Sequence, residues 1–201
     1  MINTIVFDVT GVLVELEDDK FSQAISDKFN LDKDLVKKTY LDVAYQVEED
    51  GRTEYDSYKE IYKKLDVKFD DDLFEWTQKS RISFKPPIKG MRELLLKLKN
   101  NYKLGIGSNE TRGFAEFTRK IRNLNMFDFT FYSHMAGARK SNDKFFIKMI
   151  EENKLEPEEC IFIDDNEAYT KTATKFGFLG IHYKNTVQLI EKLKEINIII
   201  D

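Results

Sequence analysis

The chain has 201 residues, of which 41% are hydrophobic and 34% charged, with a formal net charge of −4. These values are typical of a globular protein with one full core, and they exclude a disordered or fibrous chain. The acidic balance and the lack of a long Lys/Arg cluster argue against a nucleic-acid partner. The apolar runs are shorter than the roughly 20 residues that cross a bilayer, so we expect no membrane insertion. Cys160 is the only cysteine, which excludes an internal disulfide and fits a reducing cytoplasm.

The first element is a short apolar strand, from Thr4 to Phe7, that ends at a carboxylate. Asp8 follows it directly, and Gly11 then allows a sharp turn. An ionised carboxylate is costly to bury, so an aspartate at the tip of a buried strand indicates a crevice with a chemical task. Metal binding and nucleophilic attack are the two tasks that such a residue most often has.

Residues 15–85 contain only helical patterns, and the acidic excess of the chain lies within them. Aromatic side chains such as Tyr40 and Tyr62 fall on the apolar faces, so we expect them to form the core of this segment. Pro86 and Pro87 then give a stiff return to the main body of the chain. The sequence therefore predicts a small helical domain over 15–85, inserted into a core domain that comprises 1–14 and 86–201.

The remainder of the chain alternates apolar strands with amphipathic helices. Four further strands are predicted, at Lys103–Ile106, Phe129–Tyr132, Cys160–Ile163 and Gly180–Tyr183. One of the helical patterns between them consists of Phe114, Phe117, Ile121 and Leu124. This alternation predicts an α/β fold, a Rossmann-like core of three layers in which helices cover both faces of a parallel sheet.

Polar residues follow several of these strands. Besides Asp8, they are Ser108 and Asn109 after the second strand, Arg139 and Lys140 in the loop after the third, and Asp164 and Asp165 after the fourth. Ligands bind at the carboxyl ends of strands in open parallel sheets, so we expect these residues to converge. A carboxylate nucleophile, an acidic pair for a cation, oxygen-binding groups and a balancing lysine make up the inventory of phosphoryl transfer. Mg²⁺ suits such a site because it prefers oxygen ligands.

The arrangement resembles the haloacid dehalogenase (HAD) superfamily of hydrolases, and specifically its members with a helical cap after the first strand. The four matching motifs, in chain order, are Phe7-Asp8-Val9-Thr10-Gly11-Val12-Leu13, Gly107-Ser108-Asn109, Lys140 and Phe162-Ile163-Asp164-Asp165-Asn166. The resemblance implies that residues 15–85 form the cap domain. It also implies a small phosphorylated molecule as the substrate.

The resemblance also implies a role for each matching residue. Asp8 would attack phosphorus and form an aspartyl-phosphate, and Ser108, with Asn109 beside it, would bind the phosphoryl oxygens. Lys140 would neutralise Asp8 and the phosphoryl group. The metal ligands would be Asp8, the main-chain carbonyl of Thr10, and Asp165, with Asp164 in support.

The sequence departs from the family pattern at two positions. Thr10 stands where family phosphatases carry a second aspartate as acid and base, and a hydroxyl cannot move a proton as a carboxyl does. Losing acid–base help costs about 10²–10⁴ in rate, so we expect slow turnover. Ser141 stands where proline commonly follows the motif lysine, a difference that bears on the shape of the loop. Lys140 is assigned by its position after the third strand, and Arg139 and Lys144 are the alternatives if the register differs.

Two other functions compete with a slow Mg²⁺-dependent phosphatase. A catalytically impaired member would use the same scaffold to bind a phosphorylated ligand. A 2-haloacid dehalogenase would use Asp8 against carbon without a metal, and family dehalogenases also lack the second aspartate. The adjacent Asp164 and Asp165 argue against the dehalogenase, because uncompensated negative charge would repel an anionic haloacid.

Overall fold

The computed structural model describes residues 1–15, 18–50, 52–112, 115 and 126–201. Within this part of the chain, five parallel strands form one sheet with the order β3-β2-β1-β4-β5. The strands are β1 (Thr4–Phe7), β2 (Lys103–Ser108), β3 (Phe129–Tyr132), β4 (Cys160–Asp164) and β5 (Leu179–His182). β2 and β3 follow one another on one side of β1, and the chain then crosses to the other side of β1 to form β4 and β5. The strand order therefore reverses beside β1. Such a reversal opens a crevice at the carboxyl ends of the strands.

Helices cover both faces of this sheet, which confirms the α/β class. The core helices are α5 (Met91–Leu98), α6 (Ser133–Ala136), α7 (Asp143–Asn153), α8 (Glu167–Lys175) and α9 (Thr186–Glu195). Side chains of β1 alternate between the two faces: Ile5 and Phe7 pack with α5 and α9, whereas Val6 packs with α7. The predicted helical pattern from Phe114 to Leu124 lies largely outside the described residues. Among the described helices, none has the length and apolar character needed to span a membrane.

Four consecutive helices lie between β1 and α5, where the sequence predicts a helical insert. They are α1 (Asp18–Phe29), α2 (Lys33–Asp50), α3 (Glu54–Lys64) and α4 (Asp71–Ser83). These helices have an apolar core of their own, in which Phe21, Ile25, Val36, Tyr58 and Tyr62 are almost completely buried. Side-chain caps begin three of them, since Asp32 accepts a hydrogen bond from the Leu35 amide, Thr53 from the Asp56 amide and Asp70 from the Leu73 amide.

The two segments that join these helices to the sheet domain lie side by side. The amide of Glu15 donates to the carbonyl of Pro86 (2.9 Å), and the amide of Ile88 donates to the carbonyl of Leu13 (3.1 Å). Val14 and Pro87 form an antiparallel bridge between these two bonds. The insert is therefore attached through a narrow, hydrogen-bonded junction, only a few residues beyond Asp8.

Candidate active site

Three carboxylates meet at the crevice beside β1. Phe7 pairs with Ile163 in the sheet register, so Asp8 and Asp164 come next to each other on adjacent strands. Asp164 is fully buried and Asp8 is 5% exposed, whereas Asp165 is exposed. Carboxylate oxygens of the three residues all lie within 4.8 Å of one another. The topology thus brings together side chains that are more than 150 positions apart in the sequence.

Lys140 lies between two of these carboxylates. Its Nζ donates to Asp8 Oδ1 and to Asp164 Oδ2, each at 2.6 Å, and only 2% of its side chain is exposed. Burial alone would lower the pKa of Lys140, but the two carboxylates outweigh burial and raise it. The ring of Tyr169 lies 5.0 Å from the ammonium group and closes the other side. The lysine is therefore held as a charged, fixed cation.

The carboxylates still outnumber this cation. Burial and, to a smaller extent, the nearby Asp8 carboxylate raise the pKa of Asp164 to about 7, against the opposing effect of Lys140. Burial and the Asp8 carboxylate also raise the pKa of Asp165. Three crowded oxygen donors with one ammonium group carry excess negative charge, so the donor set fits a hard divalent cation such as Mg²⁺. Asp8, Asp164 and Asp165 are the residues that would hold it.

The turn after β1 leaves space for Asp165. Gly11 has a φ of +92°, and a Cβ added there would lie 2.3 Å from Asp165 Oδ2. The amide of Gly11 donates to the carbonyl of Val14 (2.7 Å), which closes the turn. Both the backbone conformation and the close approach of the carboxylate therefore require glycine.

We expect Gly11→Ala to weaken Mg²⁺ binding about 10-fold or more, because the new methyl group displaces the Asp165 carboxylate. Gly90→Ala is the matched control: Gly90 also has a positive φ (+79°), but its Cβ would meet only Thr186 Cγ2 at 3.5 Å. Both variants should lose about 1–2 kcal/mol of stability from backbone strain. Titration calorimetry with Mg²⁺ separates the two effects, and equal affinities in the two variants would contradict this role for Gly11.

The residues after β2 lie at the same crevice. Ser108 is 2% exposed at the end of β2. Asn109 Oδ1 accepts a hydrogen bond from the Lys140 amide (2.9 Å), and Asn109 Nδ2 donates to the Tyr169 hydroxyl (3.4 Å). Asn109 therefore positions the Lys140 loop, a structural role beyond the substrate contact expected of it.

The structure also distinguishes Lys140 from its two neighbours in sequence. The ammonium group of Lys140 lies between two of the carboxylates, whereas Arg139 lines the crevice and Lys144 is exposed at the start of α7. The amide of Asn142 donates to the carbonyl of Arg139 (2.9 Å), so residues 139–142 form a tight turn. Ser141 fits this turn in place of the proline that the family commonly has there.

Two buried cations at the crevice are not evident from the sequence. Lys85 is 5% exposed, and its Nζ donates to Thr10 Oγ1 at 3.0 Å. Arg81, on α4, forms ion pairs with Glu54 at 2.7 Å and with Glu110 at 3.2 Å, the latter across the boundary between insert and sheet domain. The sequence gives only a weak indication of their role, since Arg81 and Lys85 are merely two cations four residues apart that precede Pro86.

The helical insert covers part of the crevice, which forms a partly open cavity of about 260 Å³. The insert contributes Tyr40, Leu41, Ala44 and Arg81 to its lining. Tyr40 therefore lines the cavity as well as the apolar core of the insert, whereas Tyr62 is completely buried in that core. A larger open groove of about 1120 Å³ lies between α5 and α9, but none of the three carboxylates lines it. The smaller cavity is thus the one that contains the chemically reactive groups.

Comparisons with known proteins agree with this geometry. A family model described as haloacid dehalogenase-like hydrolase matches residues 2–177. The chain belongs to this family. The HAD-like hydrolase is 28% identical to D-ribitol-5-phosphate phosphatase of Bacteroides thetaiotaomicron, over 89% of this chain and 90% of that protein. It is 29% identical over 112 residues to flavin mononucleotide hydrolase 1 of Arabidopsis thaliana, a match to 55% of this chain and 46% of that protein.

The fold is also shared with a HAD family enzyme of Bacteroides thetaiotaomicron that was solved with magnesium and inorganic phosphate. The two structures superpose with a TM-score of 0.76 at 22% identity, over 92% of this chain and 96% of the other. The sequence-based prediction of a HAD-like α/β hydrolase is therefore confirmed.

Proposed function

We propose that this HAD-like hydrolase is a Mg²⁺-dependent phosphatase that acts on a small phosphorylated molecule through an aspartyl-phosphate. The observation that carries the proposal is the cluster of Asp8, Asp164 and Asp165 around the buried ammonium group of Lys140. A nucleophile, a cation site and a fixed positive charge in one crevice are what phosphoryl transfer requires of a protein. The phosphatase relatives support the same reaction class.

Each residue has a distinct task in the proposed reaction. Asp8 attacks phosphorus, the bond to the leaving oxygen breaks, and water later hydrolyses the aspartyl-phosphate. Ser108, at the end of β2, donates a hydrogen bond to the phosphoryl oxygens, and Lys140 holds the Asp8 carboxylate in place and balances the phosphoryl charge. Mg²⁺, held by Asp8, Asp165 and the carbonyl of Thr10 with Asp164 in support, would neutralise phosphoryl oxygens and so lower their repulsion of the nucleophile.

The helical insert, residues 15–85, acts as a cap in this proposal. It closes over the crevice through Tyr40, Leu41 and Arg81, and it excludes bulk water from the reacting groups. The cavity of about 260 Å³ lies below the roughly 300–1,000 Å³ that is usual for drug-sized ligands. A substrate of sugar-phosphate or polyol-phosphate size therefore fits this cavity better than a flavin nucleotide.

The acidic cluster distinguishes this function from dehalogenation. Thr10 alone does not exclude dehalogenation, because family dehalogenases also lack the second aspartate. A haloacid, however, brings its own carboxylate toward Asp8, Asp164 and Asp165, which lie within 4.8 Å of one another. Repulsion among these charges disfavours that substrate, whereas a divalent cation relieves the repulsion and attracts phosphate.

The test is phosphate release from a panel of small sugar and polyol phosphates, with Mg²⁺ and with EDTA. We expect release by the unaltered protein that depends on Mg²⁺, and little release by Asp165→Asn at the same Mg²⁺ concentration. Thr10→Asp should raise turnover about 10²-fold or more, because it supplies the missing acid–base group. Activity only in Thr10→Asp would instead favour a phosphate-binding protein, and metal-free halide release from 2-chloropropionate would favour a dehalogenase.

A further inference from the structure

Lys85 is a buried cation at the crevice that the proposed reaction has not used. It lies on the segment between α4 and α5. In this segment Pro86 and Ile88 form backbone hydrogen bonds with Glu15 and Leu13, which follow the turn at Gly11. These backbone bonds hold Lys85 beside Thr10, and its Nζ lies 3.0 Å from Thr10 Oγ1. The side chain is 5% exposed and lines the same cavity as Asp8.

We propose, on the basis of the phosphatase function above, that Lys85 is a catalytic residue that stabilises the leaving-group oxygen of the substrate. Lys140 is engaged with Asp8 and Asp164 on the β4 side of the nucleophile. Lys85 is on the Thr10 side, next to the position where a family phosphatase carries its acid–base aspartate. The two lysines thus place positive charge on the two sides of the phosphoryl group, one toward the nucleophile and one toward the departing oxygen.

The step can be written with its charges balanced. A bond forms between an Asp8 oxygen and phosphorus, the bond from phosphorus to the leaving oxygen breaks, and its electron pair stays on that oxygen. The ammonium group of Lys85 donates a hydrogen bond to this oxygen as its charge develops, and the proton passes to the oxygen as the alcohol leaves, because an alkoxide is a stronger base than an amine. Bulk water then restores the proton of Lys85. A buried, pre-positioned cation is effective here because no solvent has to reorganise when the charge develops.

Threonine at position 10 is consistent with this role. Its hydroxyl accepts a hydrogen bond from Lys85 and so orients the ammonium group, but it does not neutralise the positive charge. An aspartate at the same position would form an ion pair with Lys85 and weaken its interaction with the leaving group. Lys85 therefore assists formation of the aspartyl-phosphate, while hydrolysis of that intermediate still lacks a base.

The experiment compares two small substrates whose leaving groups differ in basicity. Glycerol 3-phosphate releases an alkoxide, which needs stabilisation, whereas acetyl phosphate releases acetate, which does not. We expect Lys85→Met to lower kcat/KM for glycerol 3-phosphate about 10²–10³-fold and for acetyl phosphate less than about threefold. The parameter kcat/KM is used because it reports the steps through aspartyl-phosphate formation. Lys85→Arg should recover part of the loss, and Lys89→Met, an exposed position on the same segment, should change neither substrate.

Equal losses for the two substrates would overturn the inference, because a lysine that binds phosphoryl oxygens or only supports the fold does not distinguish leaving groups. Thr10→Val is a second variant that keeps the backbone bonds of the segment and removes the hydroxyl that accepts the Lys85 hydrogen bond. Its kcat/KM should fall selectively for glycerol 3-phosphate, by about 10-fold. Equal losses for glycerol 3-phosphate and acetyl phosphate in this variant would again contradict the inference. If the unaltered protein hydrolyses the substrates but the variants lose equal activity toward both, only the role of Lys85 is overturned. If the unaltered protein hydrolyses neither substrate, the phosphatase function is overturned as well.

Discussion

Asp8→Asn is expected to lower phosphatase turnover by at least about 10⁴-fold, since removal of a catalytic nucleophile in hydrolases costs up to about 10⁶. An amide keeps the shape of the side chain, and its oxygen can still accept the hydrogen bond that Lys140 donates to Asp8 at 2.6 Å. The variant therefore removes the nucleophile without removing the packing around it. The measurement is initial phosphate release at saturating Mg²⁺, together with mass spectrometry of acid-quenched protein to locate the phosphoryl group on Asp8 of the unaltered chain.

The stability of this variant is its internal control. Asp8→Asn relieves repulsion with Asp164 and Asp165, so without Mg²⁺ its free energy of unfolding should equal or exceed that of the unaltered protein. Mg²⁺ present at 100 times its Kd adds about 2.7 kcal/mol to a protein that binds it only when folded. This increment should be smaller in Asp8→Asn, because one ligand has lost its charge. Unchanged turnover, or a phosphoryl group on another residue, would contradict the assignment of Asp8.

The sheet domain could be predicted in detail because its signals are local. β1 and β3 have the predicted bounds, and β2 and β4 begin where predicted and continue to Ser108 and Asp164. β5 begins and ends one residue earlier than the pattern Gly180–Tyr183 predicts. It is an edge strand whose first residue, Leu179, is 42% exposed, so the alternation of apolar residues defines its limits poorly.

The meeting of Asp8 with Asp164 and Asp165 could also be predicted, since the carboxyl ends of parallel strands share one edge of the sheet. The contacts of Lys85 and Arg81 could not. Lys85 contacts Thr10 across 75 positions, and Arg81 contacts Glu110 across 29. A helical pattern shows which face of α4 is apolar but not which core residue lies opposite a charged side chain. Such pairs depend on how the insert is seated over the sheet, which no local pattern encodes.

Lys140→Met is expected to cause the largest loss of stability, about 3–5 kcal/mol in the free energy of unfolding at pH 8 with EDTA. Met fills nearly the same space, so the loss comes from the Asp8 and Asp164 carboxylates, which remain buried without the ammonium group that bonds both at 2.6 Å. Lys144→Met is the matched control: Lys144 is exposed, and we expect less than about 0.5 kcal/mol there. Urea unfolding of both variants measures the difference.

The pH dependence of this loss tests its electrostatic origin. Burial already raises the pKa of Asp164 to about 7 from 3.8, so the folded protein binds a proton more tightly than the unfolded chain. Stability from this group is therefore present at low pH and is lost as the pH rises toward and through 7. Without Lys140 the pKa should rise further, and the variant should recover much of its stability at pH 5. If Lys140→Met loses the same unfolding free energy at pH 5 and at pH 8, the loss comes from packing. That result would contradict the charge balance around Asp8 on which the proposed chemistry depends.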